Sequence, residues 1–437
     1  MRDFINRKNL PEVFAGTYIA LILTVFLLWF DKSGYSAITE AKLPLFYVFS
    51  GAYIFLTLAA AAIGGRVPKL KELSAVQLFV IAYLIFTLLS AVCSPFQSKT
   101  WIGATRYEGA LTIAIYCLVF LLISVYGRAG KWLLWPLGIG AVLLCLLCIS
   151  QMHGKNPFCL YPNGYDYFGA GKYYSGQYLG TVGNTGLLAA YFCVAIPVMW
   201  LSLLRLKGKK RFLLFVPLIL SLFVLIKMSV MAGLLGVFGG GILSIPIVIK
   251  SDRKTRKIIV VILLAAIIFG IAFLFLADIG EGTLHEAHEV LHGNVSESFG
   301  SHRIYIWKNV LELVPRRLIL GMGPDTLSAE NVAPFTRYEA EIDELFTSYI
   351  DTAHNEYLNV LYHQGLFALI AYLAALIAAA VKWIKQSEKN TVVAIMGAAA
   401  LSYCIQAFFG ISMFISAPFF WISLALLESS CNKKPML

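Results

Sequence analysis

Charge is what this sequence most lacks. Only 14% of its 437 residues are Asp, Glu, Lys or Arg, whereas 59% are hydrophobic. A soluble chain of this length needs far more charge on its surface, so a string of soluble domains is excluded. Long polar stretches are equally scarce. One interval, from about residue 278 to 357, interrupts a nearly continuous series of apolar segments. Cysteine supplies no framework either. The eight cysteines are scattered and most lie inside apolar runs. Cys145 and Cys148 form a C-x-x-C with no polar setting for redox or zinc chemistry, which marks them as packing residues. The first apolar run has no small-residue cleavage pattern, so it is expected to stay as a membrane anchor.

What is present is lipid-compatible sequence. About 20 helical residues cross a bilayer core, so apolar runs of about 18 or more are membrane-span candidates. The fold expected is an all-α polytopic membrane protein with about twelve transmembrane helices. The spans fall at roughly 13–30, 45–63, 75–93, 109–126, 132–150, 182–204, 212–228, 231–249, 258–277, 356–381, 392–409 and 412–429. Residues 1–437 then form a single integral membrane domain, with a loop at 278–355 inserted between the ninth and tenth spans. No repeat of fixed period and no obvious inverted halves of the transporter kind are visible.

The formal charge of +11 has a membrane explanation. Of 35 Lys and Arg residues, 23 lie in the terminal segments and alternate loops, including Arg205–Arg211 and Lys250–Lys257. The positive-inside rule makes that set cytoplasmic, with both termini inside a cell (inner) membrane. These runs are topology anchors that meet anionic headgroups, not nucleic-acid contacts. Arg106, the loop 151–181, Lys227, Arg303 and His354 consequently fall on the outer face, and 278–355 becomes an extracytoplasmic catalytic loop with short helices. No ATP or nucleotide sugar is available there. Energy for a reaction must arrive in an activated, membrane-borne substrate. Aromatic clusters such as Tyr161-Pro-Asn-Gly-Tyr165 and Tyr173-Tyr174 suit sugar faces, and they equally suit the membrane interface.

The long loop carries the chemistry. Ile304, Trp307, Val310, Leu311 and Val314 repeat with helical spacing, with Ser301 expected as N-cap and Pro315 ending the run. Arg303 then sits in the first turn, where free N–H groups and a guanidinium together hold a phosphate, or where the Arg simply meets solvent. Gly321-Met322-Gly323-Pro324-Asp325 is a tight turn, structural by default. His354 stands at a helix entry, with Asp351 or Thr352 available as cap. A helix N-terminus favours neutral imidazole, which can take a proton from an attacking hydroxyl. Asn355, Glu356 and Tyr357 beside it can orient the ring or the substrate. His285, His288 and His292 share one helical face, but H-E-x-H is not the H-E-x-x-H of metalloproteases. A polar helix over the membrane surface is the simpler expectation.

Motif order resembles the O-antigen ligase and O-antigen polymerase superfamily of bacterial membrane glycosyltransferases. Arg303 followed by Trp307, then Gly321-Met-Gly323, then His354-Asn355 and Leu358 match the family's loop pattern. Gly103-Ala-Thr-Arg106-Tyr-Glu-Gly109 is similar to its G-x-x-x-R-x-x-G with the gap one residue shorter. Gly183-Asn184 with Ala189 and Tyr191 is similar to its G-N-x-x-x-x-A-x-Y. One position departs: Val230 stands where the family usually has an Arg thought to help bind the lipid diphosphate. Lys227 is a nearby point charge without bidentate geometry.

The resemblance implies transfer of a glycan, with inversion, from a polyprenyl (undecaprenyl) diphosphate carrier to an acceptor hydroxyl on a glycan or glycolipid. By that carry-over His354 is the general base and Arg303 binds the diphosphate. Arg106, Lys227, Trp307, Asn355 and Tyr357 are substrate-binding candidates. Neither a metal nor another cofactor is implied. A polysaccharide or lipid transporter is the alternative from another class. It should place ionisable residues deep in its spans, whereas most charges here cluster at loops. A catalytically impaired relative, suggested by Val230, is a third reading.

Overall fold

The computed structural model describes residues 10–64, 67–161, 178–249, 251–280, 282–330, 332–339 and 344–432. Parts of the aromatic loop 151–181, including Pro162–Tyr165 and Tyr173-Tyr174, lie outside these, as do the basic residues before Leu10 and Arg66, Lys250, Lys433 and Lys434.

The chain is mostly helical. Among the described residues, eight helices are long and apolar enough to cross a membrane: α2 Ile38–Ile63, α3 Ala75–Val92, α5 Lys131–Met152, α6 Thr185–Arg205, α7 Arg211–Met228, α8 Met231–Val248, α9 Arg253–Leu276 and α13 Leu366–Gln386. Shorter apolar helices are α1 Leu10–Phe26, α4 Ala110–Tyr126 and α14 Thr391–Ala407. The last helix, α15 Ala417–Asn432, is buried along most of its length. Each expected apolar run therefore meets a helix, but eight rather than twelve satisfy the length and composition of a span. The run expected at 356–381 is also divided. Gly365, at φ 86°, separates α12 Glu356–Gln364 from α13. A Cβ at Gly365 would collide with the carbonyl of Ile319, so the break is where another strand of chain approaches closely.

The polar interval holds α10 Thr283–Leu291, α11 Phe299–Leu313 and an antiparallel hairpin of β1 Phe335–Glu339 with β2 Glu344–Ser348. In the membrane part, α13 packs along α3, α14 along α6 and α15, and α15 along α4. The α6 helix is the central post, 83% buried over its apolar window, whereas the corresponding window of α9 is 0% buried. Asn184 begins α6 by accepting the Leu187 N–H at 3.0 Å, and Gly233 at the start of α8 lies against Ala189.

Several ionisable groups inside the bundle find partners within it. Lys42 on α2 is fully buried and donates to the carbonyls of Phe26 (2.7 Å) and Leu27 (3.1 Å) at the end of α1, where Thr181 Oγ1 also donates to Leu27 O at 2.7 Å. Lys382 and the fully buried Glu428 join α13 to α15 at 2.6 Å. Three histidines solve a similar problem. His285 Nδ1 bonds Ile279 O at 2.6 Å, His288 Nδ1 bonds Leu274 O at 2.7 Å and His292 Nδ1 bonds His288 O at 2.9 Å. Of the three, His288 ties α10 to a C-terminal carbonyl of α9, His285 ties it to the connecting segment, and the His292 bond stays local to the end of α10.

Candidate active site

Three segments, distant in sequence, meet at the end of the bundle where α3 finishes and α4 starts. The first is the turn 94–109. The second is the glycine turn 321–326. The third is 350–357, which leads into α12.

The glycine turn is structural. Met322 N–H donates to Tyr362 O at 3.0 Å and Gly323 N–H to His363 O at 2.8 Å. Ser94 Oγ donates to Met322 O at 2.6 Å. A Cβ at Gly323 would strike Ser94 and Thr100, and one at Gly321 would strike His363. Close backbone approach is what these glycines serve, and the partner is the chain itself. The turn in turn positions Asp325. This buried carboxylate accepts the Arg106 N–H at 2.9 Å and the Thr105 N–H at 3.2 Å. A Cβ at Gly103 would hit its oxygen. Asp325 therefore clamps the backbone that leads into the Arg106 side chain. Burial, helped by the nearby Asp351, raises its pKa to about 6 against the lowering effect of the N–H donors.

Arg106 is held at its other end as well. Its Nε and Nη2 donate to the two oxygens of Asp351 at 2.8 and 3.1 Å, a bidentate pair. Asp351 is therefore not the cap expected for the next helix, because it is the counter-ion of Arg106. Thr352 is not the cap either; its hydroxyl accepts from Asn359 Nδ2 at 2.7 Å. Asn355 is the cap. Its Oδ1 accepts the Leu358 N–H at 3.0 Å, and its extended backbone opens α12. Tyr357 donates its hydroxyl to Cys404 O on α14 at 2.8 Å. Both side chains are engaged by the protein itself.

His354 sits between these fixed points with φ at 48°. Positive φ is costly for a non-glycine residue, of order 1–3 kcal/mol. Seven non-glycine residues adopt it among the described residues, and Tyr107, Asp325 and His354 lie in the three converging segments, with Ser301 and His302 just before Arg303. Such strain persists only where the surroundings over-determine it, and it concentrates at functional sites. The His354 imidazole is driven down to about 4. Burial is the main cause, followed by the positive charges of Arg106 and then Arg303, with Asp351 opposing them. Both guanidinium groups are therefore near enough to act on this ring.

Arg303 enters differently from expectation. Ser301 does not cap α11. Gly300, Ser301 and His302 are all left-handed, and regular helical conformation starts at Arg303. The kink is closed by His302 N–H to Ser298 O at 2.9 Å, by Gly300 N–H to Glu286 Oε2 at 3.0 Å, and by the His302 ring stacked on Phe335 at 4.4 Å. Arg303 donates through Nη1 to Gly300 O at 2.6 Å, while its buried Nε has no partner among the described residues. Burial lowers its pKa and the nearby charge of Glu286 partly offsets this. Trp307, one turn on, donates Nε1–H to Ala353 O at 2.9 Å and lies edge-on to Phe408. That bond joins the Arg303 helix to the residue before His354. Lys227 is exposed in the last turn of α7, and no contact among the described residues joins it to this group. Asp325 and Asp351 are the site-building residues absent from the sequence-based candidates.

These features define a multi-pass membrane protein with a strained, doubly cationic polar site at one end of its helices. Residues 216–373 match the family model described as O-antigen ligase. The matched stretch runs from α7 into α13 and contains Lys227, Arg303, Trp307, His354, Asn355 and Tyr357, whereas Arg106 lies before it. The match points to glycosyl transfer by a membrane enzyme in surface-polysaccharide synthesis. No curated protein matches the chain.

Proposed function

We propose that the protein transfers a glycan from a polyprenyl diphosphate carrier to an acceptor hydroxyl at the outer face of the cell membrane. The observation that carries this reading is the Trp307 indole bond to Ala353 O, which brings the Arg303 helix against the residue before His354, close in sequence to the Arg106–Asp351 pair, within a chain whose residues 216–373 match the O-antigen ligase model. Arg303 has an unpartnered buried N–H and no ion pair among the described residues, so it is the group free to take a diphosphate oxygen. Its positive charge then stabilises the leaving diphosphate as the glycosidic C–O bond breaks. His354, unprotonated at neutral pH, accepts the proton of the acceptor hydroxyl as that oxygen attacks the anomeric carbon from the opposite face. Arg106 is already neutralised by Asp351, and its part is to set the field around His354 and to hold the turn 94–109. Trp307 fixes the relative positions of the cation and the base. A transporter reading finds less support, because Lys42 and the Lys382–Glu428 pair are committed to internal bonds.

The test uses purified protein in lipid with a polyprenyl-diphosphate-linked glycan and a glycolipid acceptor. His354→Ala should abolish transfer while the protein still binds the donor. Transfer at the parental rate by that variant removes the proposed base and with it the reading.

A further inference from the structure

The opposite end of the bundle carries a second built feature. α5 and α7 diverge there and leave a groove of about 520 Å³. Its lining on α5 runs from Lys131 to Leu143, about 18 Å of helix, close to half of a ~30 Å hydrocarbon core. The walls are aliphatic and aromatic, and no Asp or Glu lines them. At the mouth stand Lys131, Lys207, Lys209 and Arg211. Among the described residues none of the four has an ion-pair partner. Arg211 donates Nη1–H to Leu206 O at 2.7 Å, which fixes the guanidinium, yet its Nε is buried without any partner. Gly138 keeps the floor open: a Cβ there would meet Leu214 and Pro217 only at 3.8 Å. Trp135 projects into the groove with 54% of its surface exposed.

An apolar trough of one leaflet's depth, ending in four uncompensated cations, has the charge and shape of one kind of occupant. We propose that this groove binds an anionic diacyl phospholipid, with its phosphate among Lys131, Lys207, Lys209 and Arg211 and an acyl chain laid between α5 and α7. The site is separate from the candidate active site and on the other membrane face. α4 runs from the Arg106 turn to Tyr126, and α5 starts immediately beyond that far end.

Trp135 gives the measurement. The protein is reconstituted with phosphatidylglycerol or phosphatidylcholine carrying brominated acyl chains, and fluorescence quenching is compared with that of Trp135→Phe, so that the difference belongs to Trp135. Quenching by the anionic lipid should need an at least about five-fold lower mole fraction, the preference expected from one basic residue near an anionic headgroup. The Lys207→Gln, Lys209→Gln double variant should bring the two lipids together. Gly138→Leu, which keeps every charge, should weaken quenching by both, because the chain loses its bed. Equal quenching by both lipids in the parent protein means ordinary boundary lipid and overturns the proposal. So does an anionic preference that survives both variants. Displacement of the anionic lipid by inorganic phosphate would instead mark a free-anion site and would equally overturn it.

Discussion

The two arginine-bearing segments of the candidate site present the same functional group in opposite states. Arg106 is clamped twice, by Asp325 through its backbone and by Asp351 through both arms of its guanidinium. Arg303 has one backbone carbonyl as acceptor and a buried Nε with no partner. A paired cation gains little from a further anion, because the anion must displace a carboxylate already in place. An unpaired, half-buried cation gains much more. The comparison teaches that position near the imidazole does not make two arginines equivalent. One is tied into the frame, and the other keeps an unpartnered donor.

The largest separation is expected in activity. Arg303→Ala should lower transfer more than ten-fold with little change in thermal stability, since a hydrogen bond to a charged group is worth about 1.5–3 kcal/mol. Arg303→Lys should recover only part of it, because a point charge lacks the planar fork. Steady-state kinetics beside a melting curve in detergent reads both quantities. An Arg303→Ala protein as active as the parent would make the two arginines alike and collapse the distinction.

Arg106→Ala should do the reverse and appear first in stability. It leaves Asp351 half-buried without a counter-ion, at a cost of about 1–3 kcal/mol. Removing both partners should cost less than the sum of the single changes, as expected for groups that act as a pair. A double-mutant cycle with Asp351→Ala, followed by thermal denaturation, measures that coupling. Strict additivity would mean that the bidentate pair contributes nothing.

Both cations also set the pH response. The His354 imidazole lies near 4 in the folded protein against an ordinary value near 6.5. It stays neutral through the neutral range, so kcat/KM for the free enzyme should hold down to about pH 5 and fall only below. The stability contribution has a definite sign. Above pH 6.5 neither state binds the proton; between 6.5 and 4 the unfolded chain binds it and the folded chain does not, so stability declines as pH falls through that window. Asp325 works in the opposite direction. With its folded pKa raised to about 6, the folded state retains a proton that the unfolded carboxylate has lost, so its contribution is lost as pH rises from about 4 through 6. Arg303→Ala removes a cation and should move the acid limb of activity upward. Asp351→Asn removes an anion and should move it down. Shifts in the same direction would contradict the electrostatic arrangement.

How much of this was legible in the sequence depends on the distance over which each rule acts. Apolar runs located the helices, because crossing lipid is a property of consecutive residues. They did not distinguish α6, the buried post, from α9, whose apolar window is 0% buried, because lipid and protein interior make the same demand on composition. Arg303, Trp307 and His354 were visible as motif positions. The pairing of Arg106 with Asp351 spans 245 residues and was not. Asp351 looked like a cap because Asp before a helix usually is one, yet the neighbouring Asn355 fills that role and frees Asp351 for the guanidinium. Ser301 failed as a cap for a different reason. The kink at Gly300–His302 is closed by groups from α10 and β1, which no local pattern encodes.

The smallest expected effect belongs to Trp307, and it tests whether frame and substrate-binding parts are mechanically joined. Its indole N–H to Ala353 O, at 2.9 Å, is the bond that fixes the Arg303 helix against the residue preceding His354. Trp307→Phe keeps a ring against Phe408 but removes the donor. One neutral hydrogen bond is worth about 0.5–1.5 kcal/mol, so the rate should fall by roughly two- to ten-fold. If the bond only positions, kcat should fall while KM for the donor stays near the parental value, and the acid limb should not move, because no charge has changed. If Trp307 instead touched the glycan, KM would rise with kcat intact. That outcome would transfer Trp307 from the frame, where Arg106 belongs, to the substrate-binding group of Arg303.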